Sequence, residues 1–160
     1  QKKYSCIVDV GEIGPTYQSG HAHADTFSFE FSINSNRIIV NSGTSTYENN
    51  NLRLFQRSTS SHSTVEIDKM NSSEVWHCFR TARRRAPEDI ELIKSKKQIK
   101  VKAEHRGYHF FSKNTHRREW IFSSNKVCVN DMIKNDYESA ISRFYFHPLV
   151  IPWQSLKQRL

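Results

Sequence analysis

Short segments of alternating apolar and polar residues recur along the whole chain, and they restrict the fold more than any other feature. Thr26–Ile33 (TFSFEFSI) places three phenylalanines and an isoleucine on one face, as a half-buried β-strand does. A turn follows, and Arg37–Val40 returns as the second arm of a hairpin. Similar segments are STVEI, EVWHCFRTAR, IELIKS, QIKVKAEH, YHFFS, REWIFSS, KVCVNDMI and ISRFYFH. Many short strands joined by turns predict an all-β fold, an antiparallel β-sandwich.

The domain organisation follows from length and from the scarcity of helical patterns. The chain has 160 residues, so we expect a single domain over residues 1–160 with a proper core. One short helical turn is predicted around Asn51–Gln56, with Leu52 and Phe55 on one side. The sequence begins with Gln1 rather than Met and enters a strand-like segment almost at once. We therefore expect a fragment of a longer protein, which leaves the location of that protein open.

The charge of the chain favours polyanionic partners. Lys and Arg number 24 against 16 acidic residues, for a net charge of +8. Nucleic acid and acidic polysaccharide are both candidates, but no nucleic-acid-binding motif accompanies the charge, so we expect no nucleic acid partner. No run of about 18 apolar residues occurs, so no membrane span is expected. The three cysteines, Cys6, Cys78 and Cys128, are widely spaced and are predicted to be buried thiols rather than a disulfide scaffold.

Two histidines and an aspartate, His21, His23 and Asp25, lie within five residues in SGHAHADTFSFEF. In a strand, residues i and i+2 share a face, so these side chains could point together. Three interpretations are open. The side chains satisfy backbone groups at the start of a strand, or they bind a metal in a metallo-hydrolase. In the third, one histidine transfers protons while the other holds a metal or fixes the geometry.

Seven ordered segments resemble the heparinase II/III-like polysaccharide lyases. GHAHADTFSFEF is similar to their Gly-His-x-His-Ala-Asp signature, and IIVNSGTSTYE to a strand ending in V-D-x-G-T-x-x-Y. RSTSSHSTVEIDKMNSSEVWHCFR resembles the segment built around R-x-T-x-x-H-N-T-V. EHRGYH, HRREWIF, VNDMI and RFYFHP follow in the family's order. The resemblance covers nearly the whole chain.

The resemblance implies an architecture and a reaction. Family members join an N-terminal α/α toroid to a C-terminal β-sandwich, and this chain is similar to the sandwich. The implied reaction is β-elimination in a uronate-containing polysaccharide. His21, which matches the first signature histidine, is implied to face the cleft and to transfer a proton. The toroid is implied to supply a tyrosine and an asparagine or histidine, so we expect the isolated chain to be inactive. Such a bacterial parent is expected to be periplasmic or extracellular.

The resemblance also implies a metal site, often for zinc. The matching ligands are His23, Asn41 and His62, and the chain departs from the family at Asn41, where the family has aspartate. An amide oxygen is a poorer ligand than a carboxylate, so we expect weakened zinc binding. Asp25 is expected to be the hydrogen-bond partner of a histidine ring nitrogen. The metal is expected to pin the hairpins that carry His21.

Further residues are candidates for contact with an acidic saccharide. Tyr47 and Arg57 lie between the matched metal positions, and Arg80 and Arg84 belong to the basic run that ends in TARRRAPED. The tryptophans, Trp76, Trp120 and Trp153, are predicted to lie in the core.

Two alternatives to a lyase domain remain at the level of sequence. A non-catalytic sandwich that binds carbohydrate or has a structural role in surface-polysaccharide metabolism would tolerate asparagine at position 41. A nucleic-acid-binding domain would rest on charge alone. Binding of heparin but not DNA would separate the two.

Overall fold

The computed structural model describes residues 3–110 and 112–150, and these form an all-β fold with one α-helix. The strands are β1 (Tyr4–Val8), β2 (Phe29–Ile33), β3 (Asn36–Ile39), β4 (Val65–Ile67), β5 (Glu74–Trp76), β6 (Arg80–Ala82), β7 (Glu88–Lys94), β8 (Gln98–His105), β9 (Thr115–Ser123), β10 (Val127–Lys134) and β11 (Ala140–Ser142). The helix α1 spans Asn51–Arg57, and two 3-10 helices span Thr59–Ser61 and Gly107–Phe110. No helix in the described ranges is both long enough and apolar enough to cross a bilayer.

Two antiparallel sheets build the sandwich. One has the order β1-β2-β3 and the other has the order β10-β9-β8-β7, while β11 pairs with β4 and β5 with β6. Side chains from both large sheets meet in one apolar cluster around Phe27, Phe29, Ala103 and Trp120. The all-β prediction is therefore confirmed.

In β8, successive side chains alternate between the core and the opposite face, as the sequence predicts. Val101 and Ala103 pack in or against the apolar cluster. Lys100 and Lys102 point the other way and form ion pairs with Glu119 at 2.9 Å and with Glu91 at 2.7 Å. Here the period of two decides which side chains meet the core and which meet water.

The predicted strand Thr26–Ile33 begins later than expected. Residue Phe27 has φ of 68°, and the Ser28 amide donates to the Asp25 carbonyl at 2.8 Å, so the segment before Phe29 is a turn. Phe27 and Phe29 still reach the core. The strand pattern therefore does not fix the directions of the side chains at positions 21–25.

Two other predicted strands take different forms. Glu74–Arg83 is a hairpin in which β5 and β6 pair around His77, whose φ is 51°. In the predicted strand YHFFS, residues 108–110 lie in the 3-10 helix Gly107–Phe110, and Phe111 lies outside the described residues. Of the tryptophans, Trp120 is fully buried, Trp76 is 44% exposed, contrary to its prediction, and Trp153 lies outside the described residues. The three cysteines are half-buried free thiols, less buried than predicted.

A buried ion pair connects the four-stranded sheet to the turn before β2 and to the segment before β4. Arg118 donates to both carboxylate oxygens of Asp131, at 2.6 and 2.8 Å. The same guanidinium donates to the Phe27 carbonyl at 3.0 Å and to the Ser63 carbonyl at 2.7 Å. Burial alone would raise the pKa of Asp131, but hydrogen bonds from Arg118 and His116 hold it well below its usual range.

Candidate functional site

The loop that carries the signature is fixed to the chain that follows α1. The Ala24 amide donates to the Arg57 carbonyl at 2.9 Å, and the Thr59 hydroxyl donates to the Ala24 carbonyl at 2.7 Å. Ala24 is fully buried. These bonds bring residues 21–25 next to His62, although about forty positions separate them.

Arg57 clamps this loop to the β5–β6 hairpin. Its guanidinium is fully buried and donates twice to the Ala22 carbonyl, at 3.1 and 3.0 Å. It also donates to three hairpin carbonyls, those of Trp76, His77 and Arg80. The expectation that Arg57 contacts a saccharide does not fit this burial, because its donors face backbone. Arg57 instead positions the residue between the two signature histidines.

Three side chains of metal-ligand type converge behind the loop. One ligand atom each from His23, Asp25 and His62 lies within 4.8 Å of the others. The His23 and His62 rings are 5.3 Å apart between centroids. His62 is fully buried, and neither of its ring nitrogens makes a hydrogen bond of normal geometry among the described residues, although the Gln56 backbone interacts with the ring and raises its pKa. A buried ring nitrogen without a hydrogen bond keeps its lone pair free to bind an ion at the point where the three side chains converge.

The electrostatics keep both imidazoles neutral. Burial first, then the charge of His23, lowers the pKa of His62 to about 3. Burial first, then the neighbouring Arg53 and Arg57, lowers the pKa of His23 to about 4. Neutral imidazole is the form that binds metal ions. Burial, followed by repulsion from Asp9, raises the pKa of Asp25 to about 7.

The donor set fits a divalent cation of the zinc type. Two imidazoles and a carboxylate form one of the ligand sets found in catalytic zinc sites, whereas most structural zinc sites are built on cysteine. Asn41 lines the same cavity of about 380 Å³ as His23 and Asp25. Its amide oxygen accepts a hydrogen bond from the Gly43 amide at 2.9 Å. Asp25, predicted mainly as the partner of a ring nitrogen, contributes one of the three converging ligand-type atoms.

Arg53 is a site residue that the sequence did not single out. It is 1% exposed and lies against His23, with its Nη1 3.2 Å from His23 Nε2 and 3.2 Å from the Thr44 hydroxyl. Its guanidinium also packs over the Tyr47 ring, at 5.1 Å from the centroid. The available signal was its spacing of four from Arg57, which puts both on one face of α1.

His21 does not belong to the metal-type group. It is exposed, and its ring meets Tyr47 and Phe79 edge-on at 5.5 and 5.6 Å. Those two rings stack on each other at 5.6 Å. His21 therefore stands on an aromatic pair, with its partner His23 turned inward.

Two cavities meet at His21, and they differ in charge. The first, of about 380 Å³, contains three carboxylates, those of Asp9, Glu12 and Asp25. The second, of about 470 Å³, contains Arg80 together with the aromatic rings of Tyr17 and Phe79, and no acidic residue among the described positions. An anionic ligand reaching His21 is favoured on the second side.

The other predicted saccharide contacts are placed as follows. Arg80 is exposed in the second cavity, and Tyr47 is exposed beside His21. Arg84 is half-buried and donates through one nitrogen to the carbonyls of Ile13, Gly14 and Pro15. Arg80 and Tyr47 are thus accessible next to His21, whereas Arg84 anchors a loop.

Comparison with known proteins gives one match. The family described as "Heparinase II/III-like, C-terminal" matches residues 1–158. No curated protein and no solved structure matches the chain. The match covers almost the whole sequence, including every residue of the site.

Proposed function

Because the chain belongs to the heparinase II/III-like C-terminal family, we propose that it forms the sandwich of a polysaccharide lyase that cleaves uronate-containing polysaccharide. The observation that carries the proposal is the placement of His21. This histidine is exposed on an aromatic pair, next to a cavity that contains Arg80. An imidazole in that position is open to a saccharide from solvent.

The reaction we propose is β-elimination, and its balance defines what His21 has to do. A base removes the proton from C5 of the uronate, the electron pair forms the C4–C5 double bond, and the bond from C4 to the glycosidic oxygen breaks. The leaving oxygen takes up a proton. Imidazole can accept or donate a proton near neutral pH, so His21 serves one of these two transfers. The other transfer and the neutralisation of the carboxylate are assigned to an N-terminal toroid.

The charge of the two cavities supports an acidic substrate on one side. A uronate carboxylate is attracted by Arg80 and repelled by Asp9 and Glu12. The faces of Tyr17 and Phe79 offer apolar surface for the ring of a sugar. The substrate is therefore proposed to run over the Arg80 side of His21.

A metal ion of the zinc type is proposed at His23 and His62. When bound, it supplies a rigid cross-link between the loop before β2 and the segment before β4. The residues themselves hold His21 in place, because Arg57 and Ala24 tie the same loop to the helix. The ion has no assigned contact with substrate. The parent protein is proposed to work in the periplasm or outside the cell, where acidic polysaccharides are met.

The test uses the full-length protein that contains this chain. It is incubated with uronate polymers such as heparan-type glycans and alginate, and unsaturated products are followed by ultraviolet absorbance. The expected result is product formation by the native protein and a decrease of kcat by about 100-fold or more in His21→Ala. His109→Ala is the matched control, since His109 is an exposed histidine outside both cavities.

Two outcomes would overturn the proposal. One is the absence of unsaturated product from every uronate polymer, and the other is an unchanged kcat in His21→Ala. Retention of polysaccharide without cleavage would favour a non-catalytic carbohydrate-binding sandwich instead.

A further inference from the structure

We propose that Asp25, rather than Asn41, supplies the anionic ligand of a divalent cation held with His23 and His62. This inference rests on the metal part of the proposed function and is independent of the lyase reaction. It assigns to Asp25 a role that the family resemblance places at position 41.

The first observation is the state of His62. This side chain is fully buried, and neither ring nitrogen makes a hydrogen bond of normal geometry within the described ranges; the Gln56 backbone interacts with one side of the ring. An imidazole in such a place leaves at least one polar atom desolvated without compensation. A ligand atom at the position where His23 and Asp25 converge removes that cost.

The second observation is the backbone that carries Asp25. The turn closed by the Ser28 amide and the Asp25 carbonyl, with φ of 68° at Phe27, interrupts the strand pattern. Alternation from β2 therefore does not determine the direction of the Asp25 side chain. On the other side, buried Ala24 is fixed to Arg57. The carboxylate is held within 4.8 Å of the histidine ligand atoms, and no described side chain donates a hydrogen bond to it.

The third observation is the chemistry of Asn41. Its side-chain oxygen accepts from the Gly43 amide at 2.9 Å, in a turn where Gly43 has φ of 69°. This bond orients the amide locally, and the group is neutral. Two neutral imidazoles and an amide would leave both charges of a divalent cation uncompensated in a partly buried site. A carboxylate at position 25 reduces the net charge to +1.

The competing occupant is the guanidinium of Arg53. Its Nη1 lies 3.2 Å from His23 Nε2 and can donate a hydrogen bond to that nitrogen. A site satisfied by Arg53 alone would need no metal ion at His23. It would, however, leave His62 without a hydrogen bond of normal geometry among the described residues. The cation is therefore the better account of all three converging side chains.

The experiment measures Zn²⁺ affinity of the 160-residue chain by competition with a chromophoric chelator, without polysaccharide. The variants are Asp25→Asn, Asn41→Ala and Asn41→Asp. Glu12→Gln is the matched control, because it removes the same charge from the same cavity but lies outside the converging group. Melting temperature with Zn²⁺ and with excess chelator provides a second readout.

We expect Asp25→Asn to weaken Zn²⁺ binding by more than about 100-fold, beyond the usual effect of groups that do not touch the ion. Glu12→Gln and Asn41→Ala are expected to change the affinity by less than about tenfold. Asn41→Asp is expected to bind Zn²⁺ more tightly than the native chain, since it adds a second carboxylate beside the ion.

Several results would overturn the inference. These are the absence of Zn²⁺ binding by the native chain, equal effects of Asp25→Asn and Glu12→Gln, and a loss in Asn41→Ala as large as in Asp25→Asn. If Asp25→Asn does not fold, the Zn²⁺ affinity of Asn41→Ala is the deciding measurement. A strong loss of affinity in Asn41→Ala contradicts Asp25 as the anionic ligand, and an unchanged affinity supports it. A negative lyase assay would leave these measurements unaffected, so the two proposals fail separately.

Discussion

Replacing Arg57 by alanine is expected to destabilise the protein more than any surface change of the same charge. The native guanidinium is fully buried and makes five hydrogen bonds to four backbone carbonyls. In Arg57→Ala those carbonyls lose their donors in a site that water reaches poorly. At roughly 1 kcal/mol net for each orphaned carbonyl, the loss is about 4 kcal/mol. That is a large share of the ~5–15 kcal/mol that stabilises a typical domain.

The assay is urea unfolding of the 160-residue chain, followed by circular dichroism. Arg37→Ala is the matched control, because Arg37 is half-exposed and forms a surface ion pair with Glu30 at 2.9 Å. Its loss is expected to cost less than about 1 kcal/mol. Arg57→Lys keeps the charge but offers donors from one nitrogen only, so it is expected to recover less than half of the free energy of unfolding that Arg57→Ala loses. Equal urea midpoints for Arg57→Ala and Arg37→Ala would show that the buried hydrogen bonds of Arg57 do not stabilise the fold.

Three further predictions concern the site and its support. In the full-length protein, Arg80→Ala is expected to raise KM for an acidic polymer about tenfold with kcat little changed, because it removes one attractive charge. Lys126→Ala removes an equal charge from an exposed turn and is expected to leave KM unchanged. Equal effects of the two substitutions on KM would contradict the role assigned to Arg80. Asp131→Asn is expected to destabilise the chain at pH 7. Because the folded pKa of Asp131 is held below its unfolded value of about 4, the stability difference between Asp131→Asn and the native chain should shrink as the pH falls below about 4. A difference in urea midpoint that stays constant with pH would contradict this. Gly107→Ala is expected to yield poorly folded protein by circular dichroism, because the added methyl would overlap the Ser72 carbonyl and the His105 ring. In the control Gly43→Ala the added methyl has open space around it, so the cost is limited to the strain of the left-handed backbone, about 1 kcal/mol.

The alternation in the sequence was sufficient to predict the sheets but not the places where the chain turns. β8 has the bounds that the pattern predicts, because Gln98–His105 alternates without interruption. The segment Glu74–Arg83 reads as one strand, yet the left-handed backbone at His77 folds it into a hairpin. Only a few residues per hundred adopt this conformation outside glycine, so a pattern of side chains carries no sign of it.

The helix shows why Arg53 escaped prediction. A pattern analysis assigns apolar residues to the inside, but Leu52 and Phe55 are about half exposed, whereas Arg53 and Arg57 are buried. The reversal is possible because both guanidiniums find backbone carbonyls, Arg53 at Cys78 and Arg57 at Ala22 and the β5–β6 hairpin. Such partners come from residues distant in sequence. They are therefore invisible until the loops are placed.

Because residues 21–25 form a loop rather than a strand, the two signature histidines lie in different environments. Had residues 21–25 formed a strand, His21 and His23 would share one face and one environment. The loop instead leaves His21 exposed on Tyr47 and Phe79, and turns His23 toward buried His62. The Ala22 carbonyl between them is held twice by Arg57, which fixes the point of divergence. A change at Arg57 should therefore disturb both the proton transfer proposed for His21 and the ion binding proposed for His23. His21→Ala, by contrast, should leave the Zn²⁺ affinity unchanged, because His21 lies outside the converging group, and the chelator competition measures this.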